Sequence, residues 1–189
     1  MNPDIENLGP LAPLAGIWEG DKGTDVAPDD DRVSEEINKY RERILLEPIG
    51  DVENHEQLLY GLRYSTLVWR IGADEAFHEE VGYWLWDAAN KQVIKSFVVP
   101  RGYTVMAGGT AKVNAKKFSM VADLGSETYG ICSNQWLANE FKTTRFELNI
   151  EVHDNDSWSY DEDTVIEIKG VAEPFHHRDQ NTLQRVGSF

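Results

Sequence analysis

The sequence predicts an all-β fold, in which about nine or ten short strands form an up-and-down barrel or a sandwich. Two observations support this prediction. Apolar and polar residues alternate with period two through most of the chain after residue 57, as expected for strands with one buried face. Short segments rich in glycine, asparagine and aspartate separate the alternating segments, and only one segment has helical spacing.

The chain before the first predicted strand has little periodicity. Residues 1–13 contain three prolines, and we expect them to be a flexible lead-in followed by a short turn at residues 11–15. The first strand begins near Gly16 and includes Trp18, whose indole we expect to plug one end of a barrel. Residues 25–31 read DVAPDDD, and we expect a solvated loop there because burying several carboxylates is costly.

The sequence does not decide whether residues 34–49 form a helix or a strand. Ile37, Tyr40 and Ile44 recur at helical spacing, which favours an amphipathic helix. Ser34 stands where a helix cap is expected. The surrounding segments are strand-like, however, and a barrel needs a second strand at this place, so both alternatives stand.

The later segments alternate more clearly. The even-numbered residues of 57–69 form one mostly apolar stripe, which consists of Leu58, Tyr60, Leu62, Tyr64, Thr66 and Val68. Residues 77–86 and 93–100 are joined through the turn DAANK and are predicted to form a hairpin. Further strands are expected in TVMAGG, KFSMVADL, FELNIEVHD, SWSY and DTVIEIKG.

Composition limits the class of protein. The formal net charge of −15 and the isoelectric point near 4.6 disfavour nucleic acids and anionic membrane surfaces as partners, because both would be repelled. Cys132 is the only cysteine, so no internal disulfide forms, and without an apolar signal segment we expect a cytoplasmic location. No apolar run approaches the roughly 20 residues that span a bilayer. The length of 189 residues fits a single domain over residues 1–189.

Three of the five histidines are candidates for chemistry. His78 shares a strand face with Glu80, and alternation places it on the more polar face, where we expect partial exposure. His176 and His177 are adjacent, so on an extended chain at most one of them faces inward. A single inward imidazole suffices as the proximal ligand of a haem iron, whereas no Cys or His spacing fits structural zinc. On the residues alone, an ordinary surface pair is the more frequent arrangement.

Four stretches of the sequence resemble the nitrobindin family of haem-binding β-barrels, which also occurs as the C-terminal domain of certain THAP proteins. They are LAPLAGIWEGDKG, HEEVGYW, VVPRG and HHRDQNTLQRV, and with the strand pattern they span nearly the whole chain. The resemblance implies a ten-stranded antiparallel up-and-down barrel of the lipocalin and fatty-acid-binding-protein type. It also implies ferric haem b near one opening, with a C-terminal histidine bound to the iron.

The resemblance assigns roles to individual residues. It places the axial iron ligand on His177, with His176 as the alternative. The other haem-pocket positions fall on His78 at the distal rim, Phe77 and Val99 in the distal wall, and Arg101 beside a haem propionate or in solvent. One departure is Lys22, which stands where the family's first motif has its last glycine, so the first turn is expected to be remodelled.

Three functions remain open from the sequence. By resemblance, the protein binds haem b and uses it to bind nitric oxide or to isomerise peroxynitrite to nitrate. The alternative is a non-enzymatic carrier or sensor that encloses another small apolar molecule in the same barrel. A third possibility is a barrel filled by its own side chains, which predicts no ligand-sized cavity. The expected partner is a small molecule, and a homodimer is left open.

Overall fold

A computed structural model describes residues 3–189 of the chain. The two α-helices are α1 (Pro3–Glu6) and α2 (Gln135–Glu140), and a 3-10 helix spans Gly9–Leu14. The strands are β1 (Gly16–Pro28), β2 (Glu35–Asn54), β3 (Gln57–Arg70), β4 (His78–Asp87), β5 (Gln92–Val99), β6 (Tyr103–Thr110), β7 (Lys117–Leu124), β8 (Gly130–Ser133), β9 (Phe141–Val152), β10 (Ser157–Ile168) and β11 (Phe175–Gly187). Within this part of the chain, no helix has the length and hydropathy to cross a bilayer.

The strands close into one barrel. Their order around it is β1, β11, β10, β9, β7, β8, β6, β5, β4, β3 and β2, and β2 returns to β1. All neighbours are antiparallel except β7 and β8, which are parallel. The predicted all-β barrel is therefore confirmed, but ten antiparallel strands is wrong, because eleven strands form a mixed sheet.

The extra strand fills a gap between β6 and β7. These two strands pair only at Gly108 and Val121, and β8 pairs with β6 beyond that point. The ring of Tyr129, just before β8, lies so close to Gly108 that a Cβ there would overlap it. The short β8 thus continues the hydrogen bonding of β6 where β7 has turned away.

The ambiguous segment at residues 34–49 is strand, within β2. Its buried side chains alternate at Asn38, Tyr40, Glu42, Ile44 and Leu46. The helix alternative is wrong because the segment pairs with β1 and β3 along its length, and these partners bury every second residue.

The lead-in closes one end of the barrel. Leu8, Leu11 and Leu14 are fully buried, and the indole Nε1 of Trp18 donates to the Leu14 carbonyl over 2.8 Å. The expected turn at residues 11–15 overlaps the 3-10 helix. The lead-in was expected to be flexible, but from Leu8 onward it packs against the core. Residues 1 and 2 of the lead-in lie outside the described part of the chain.

The predicted solvated loop at residues 25–31 is only partly correct. Strand β1 continues to Pro28, so the turn to β2 begins at Asp29. Asp25 is 5% exposed and points inward, where the side-chain amide of Asn38 donates to it over 3.0 Å. Burial of this carboxylate is tolerated because it has hydrogen-bond partners.

Candidate functional site

The barrel encloses a cavity of about 560 Å³. Its lining reaches from the indoles of Trp84 and Trp158 to the turn after β1 at Pro28 and the turn after β5 at Arg101. These turns lie at the end of the barrel opposite the 3-10 helix, so the cavity opens there. A volume of this size is typical of small-molecule sites. The possibility of a barrel filled by its own side chains is therefore wrong.

One side of the cavity is apolar and aromatic. Strands β5 and β9 contribute Phe97 and Phe146, whose ring centroids are 5.3 Å apart, and Val99 lies nearer the opening. Trp84 and Trp158 form the floor with their ring centroids 6.2 Å apart. Both indole Nε1 groups are buried with no hydrogen-bond partner among the described residues. These two N–H groups are therefore enclosed in the packing of the floor and are not accessible from the cavity.

The deep part of the cavity contains a buried cation. The Lys95 ammonium lies 3.1 Å from Glu80 and 3.9 Å from Glu162, and 4.1 Å from the centroid of the Phe97 ring. Burial alone would raise the pKa of Glu80, but Lys95 and His78 outweigh it and hold this pKa well below its usual range. Burial raises the pKa of Glu162, and the charge of Lys95 offsets this increase only in part.

A further buried carboxyl group, that of Glu42, lies on β2. Glu42 accepts hydrogen bonds from the Asn181 amide over 2.7 Å and from the Tyr160 hydroxyl over 2.9 Å. Tyr160 in turn is 2.7 Å from the Tyr40 hydroxyl. Burial raises the pKa of Glu42 from 4.5 to about 7 despite these hydrogen bonds.

The adjacent histidines point in opposite directions, as alternation predicts. His177 faces the cavity, and its Nε2 lies 2.7 Å from Asp25 and 3.3 Å from Asp179. Burial lowers the pKa of His177, but the hydrogen bond to Asp25 and the charge of Asp179 outweigh it and raise this pKa. His176 faces outward and pairs over 2.7 Å with Asp163, away from the cavity.

His78 faces the cavity, contrary to the expectation that the polar face of its strand is exposed. Its Nε2 is 3.3 Å from Glu80, and both residues line the cavity. Burial lowers the pKa of His78, but Glu80 outweighs it and raises this pKa. The apolar residues of the other face, Val81 and Tyr83, are 48% and 46% exposed. The inner face of β4 is therefore polar near the mouth, at His78 and Glu80, and aromatic deeper in the barrel, at Trp84 and Trp86.

The other residues assigned by resemblance also line the cavity or its mouth. Phe77 lies at the mouth with the Arg70 guanidinium 4.5 Å from its ring centroid, and Val99 is buried in the wall. Arg101 lies in the turn after β5, where its carbonyl accepts a hydrogen bond from Asn134 over 2.7 Å. His177, His78, Phe77, Val99 and Arg101 therefore share one cavity, and His176 does not belong to it.

The turn after β1 reaches across the mouth. Arg32 in this turn pairs with Glu140 of α2 over 2.9 Å, and its guanidinium lies 4.9 Å from the centroid of the Phe141 ring. Lys169 also contacts Glu140, over 2.6 Å. The Arg32 contacts connect the turn after β1 with α2 and the start of β9, which is not a neighbour of β1 or β2 in the sheet.

The polar groups inside the barrel were missed in the sequence. Lys95 has a clear signal, because it alternates with Val93, Phe97 and Val99 on one face of a predicted strand. Glu42 has a similar signal, because it lies on the same face of β2 as Tyr40. This signal can be recognised only once the segment is known to be a strand. Asp25 has none, because its neighbours suggest a loop.

Comparison with known proteins agrees with this fold. A sequence profile for the THAP4-like, heme-binding beta-barrel domain matches residues 7–185. The crystal structure of Rv2717c from M. tuberculosis matches with a TM-score of 0.65, covers 98% of each chain and shares 18% sequence identity, which supports the fold. No curated protein sequence matches significantly. The resemblance noted in the sequence is confirmed, and because the profile covers nearly the whole chain, the protein belongs to the family of THAP4-like, heme-binding β-barrel domains.

Proposed function

We propose that the protein binds haem b in its barrel cavity, with the His177 imidazole as the axial ligand of the iron. The observation that carries this proposal is the orientation of His177, which faces the cavity near its mouth while its neighbour His176 faces away. A single neutral imidazole is the usual proximal ligand in haem proteins.

The residues present fit a haem group. The cavity of about 560 Å³ has the size of a cofactor site, and Phe97, Phe146 and Val99 give it an apolar side. Asp25 and Asp179 both contact Nε2 of the imidazole, over 2.7 Å and 3.3 Å. Ligation of iron through Nε2 would therefore replace the hydrogen bond to Asp25 and the contact with Asp179.

When bound, haem supplies the chemistry proposed for this family, which is binding of nitric oxide or isomerisation of peroxynitrite to nitrate. The chain holds the group through His177 and excludes water from one side with Phe97 and Phe146. His78 and Glu80 hold a proton between them at the inner wall, since their hydrogen bond raises the pKa of His78. Arg101 at the mouth offers a cation for a carboxylate of the ligand.

The alternative function, a carrier of a small apolar molecule, has weaker support than haem binding. The aromatic wall suits such a molecule, but the deep half of the cavity contains Lys95, Glu80 and Glu162. An apolar molecule there would displace water from charged groups without giving them partners, which is unfavourable. A carried molecule therefore needs hydrogen-bonding groups at its inner end.

Hemin reconstitution tests the proposal. The wild-type protein and the His176→Ala variant are expected to form a Soret band with one equivalent of hemin. His177→Ala is expected to lose this band or to shift it to that of unligated hemin. His176→Ala is the matched control because it removes the adjacent imidazole from the outer face. Uptake of no hemin by the wild type, or an unchanged spectrum in His177→Ala, contradicts the proposal.

A further inference from the structure

Two aspartates face each other across neighbouring strands at the mouth of the cavity. Asp25 of β1 is directly opposite Asp179 of β11 in the strand register, and both side chains point to the inside of the barrel. Like charges directly opposite each other destabilise a strand pair, and burial increases this cost. Asp25 is 5% exposed, so solvent relieves little of the repulsion.

The imidazole of His177 completes a group of three ligand atoms. His177 lies two residues before Asp179 and hence on the same face of β11. Its Nε2 is 2.7 Å from Asp25 and 3.3 Å from Asp179, and the three atoms all lie within 4.8 Å of one another. A divalent transition metal bound at about 2.0–2.2 Å by nitrogen and oxygen keeps its ligand atoms roughly 3 Å apart. The two distances from Nε2 bracket that separation.

A second layer of hydrogen bonds orients the most buried of these ligands. The Asn38 amide donates to Oδ2 of Asp25 over 3.0 Å, which leaves Oδ1 directed at His177. Nε of Arg70 donates to Oδ1 of Asn38 over 2.9 Å and fixes the amide. Supporting contacts of this kind, in which the ligating carboxylate is itself hydrogen bonded, are typical of metal sites.

We propose that Asp25, His177 and Asp179 bind a divalent transition-metal ion at the mouth of the cavity. One imidazole and two carboxylates suit Zn²⁺, Fe²⁺ or Mn²⁺, whereas Mg²⁺ and Ca²⁺ prefer oxygen ligands alone. The cation neutralises the facing aspartates, and its remaining coordination positions face the cavity, where water or a substrate can bind. The inference goes beyond haem binding. Because both occupants use Nε2 of His177, the metal ion and haem iron exclude each other.

Zinc titration of the haem-free protein tests the site. Isothermal titration calorimetry with Zn²⁺ is expected to show one site in the wild type, and no comparable heat with Mg²⁺. Asp25→Asn, Asp179→Asn and His177→Ala are each expected to weaken Zn²⁺ binding at least about tenfold, the lower end of what outer-layer substitutions cost in metal sites. Asp179→Asn is the main variant because Asp179 is less buried than Asp25, and circular dichroism checks its folding.

The outer pair of His176 and Asp163 provides the matched control. It has the same residue types at 2.7 Å on the opposite face of the same strand. His176→Ala is expected to retain the zinc affinity of the wild type. Equal affinity in wild type and Asp179→Asn, or loss of binding only in His176→Ala, overturns the proposal, because the zinc would then be bound by surface groups.

Competition separates this proposal from that of haem binding. Preloading with Zn²⁺ is expected to slow Soret formation in the wild type, with recovery after EDTA, and to have little effect on Asp179→Asn. If the protein takes up no hemin but binds zinc through Asp179, haem binding fails and the metal site holds. If hemin binds and zinc binding does not depend on Asp179, the metal site fails and haem binding holds.

Discussion

Replacement of Glu42 by glutamine is expected to stabilise the protein at alkaline pH. Burial raises the pKa of Glu42 from 4.5 to about 7, so between these values the native state keeps a proton that the unfolded state has lost. Because the native state binds more protons there, wild-type stability falls as the pH rises. Each pH unit in this window costs 1.36 kcal/mol, so above pH 7 Glu42→Gln gains on the order of 3 kcal/mol.

Chemical denaturation at a series of pH values measures this effect. The free energy of unfolding of Glu42→Gln minus that of the wild type is expected to be flat below about pH 4.5 and to increase toward pH 7 in favour of the variant. Glutamine keeps an oxygen that accepts from Asn181 and Tyr160, so any lost contact shifts the whole curve without changing its slope. Glu53→Gln, an exposed change of the same charge on β2, is the control. A difference that does not vary with pH would refute the reasoning.

Three further substitutions test other parts of the structure. Leu11→Ala, at a fully buried position of the 3-10 helix, is expected to cost about 3 kcal/mol in denaturant unfolding; a neutral effect would show that the lead-in does not close the barrel. Lys95→Met leaves Glu80 without its cation and should cost about 3–5 kcal/mol at pH 7. That loss should shrink as the pH falls from 4.5 toward the lowered folded-state pKa of Glu80, because the wild type then loses the stability that ionised Glu80 contributes beside Lys95. Arg32→Ala removes the contact with Glu140 and is expected to speed hemin uptake several-fold in stopped-flow measurements, and an unchanged rate would show that this turn does not restrict the mouth.

The fold was largely predictable from the sequence because one face of most strands is apolar and buried. The stripe at Leu62, Tyr64, Thr66 and Val68 is buried as predicted. For the segment around Ile37 and Ile44, the sequence could not decide between helix and strand. Its apolar residues have helical spacing, but pairing with β1 and β3 determines its structure. Tertiary pairing overrides local periodicity in such cases. The eighth strand has only four residues and no pattern of its own.

The site was less predictable for a physical reason. Strand prediction assumes that the apolar face is the inner one, and the first half of β4 reverses this with His78 and Glu80 inside and Val81 and Tyr83 outside. His78 is partly exposed, as expected, but it lies on the cavity wall. Sequence reasoning fails at such positions because a ligand site needs polar groups where a core would have apolar ones.

The buried charged groups indicate that the deep half and the mouth of the cavity have different roles. A closed core gains nothing from Lys95, Glu80 and Glu162, since a packed apolar set of similar volume is at least as stable. Their presence in the deep half is explained if a polar molecule enters beneath the mouth and pairs with them. The mouth holds His177 with Asp25 and Asp179, and Lys95 with its carboxylate partners lies deeper. Substitution of Glu42 should alter stability and leave the hemin spectrum unchanged, whereas substitution of His177 should change the hemin spectrum.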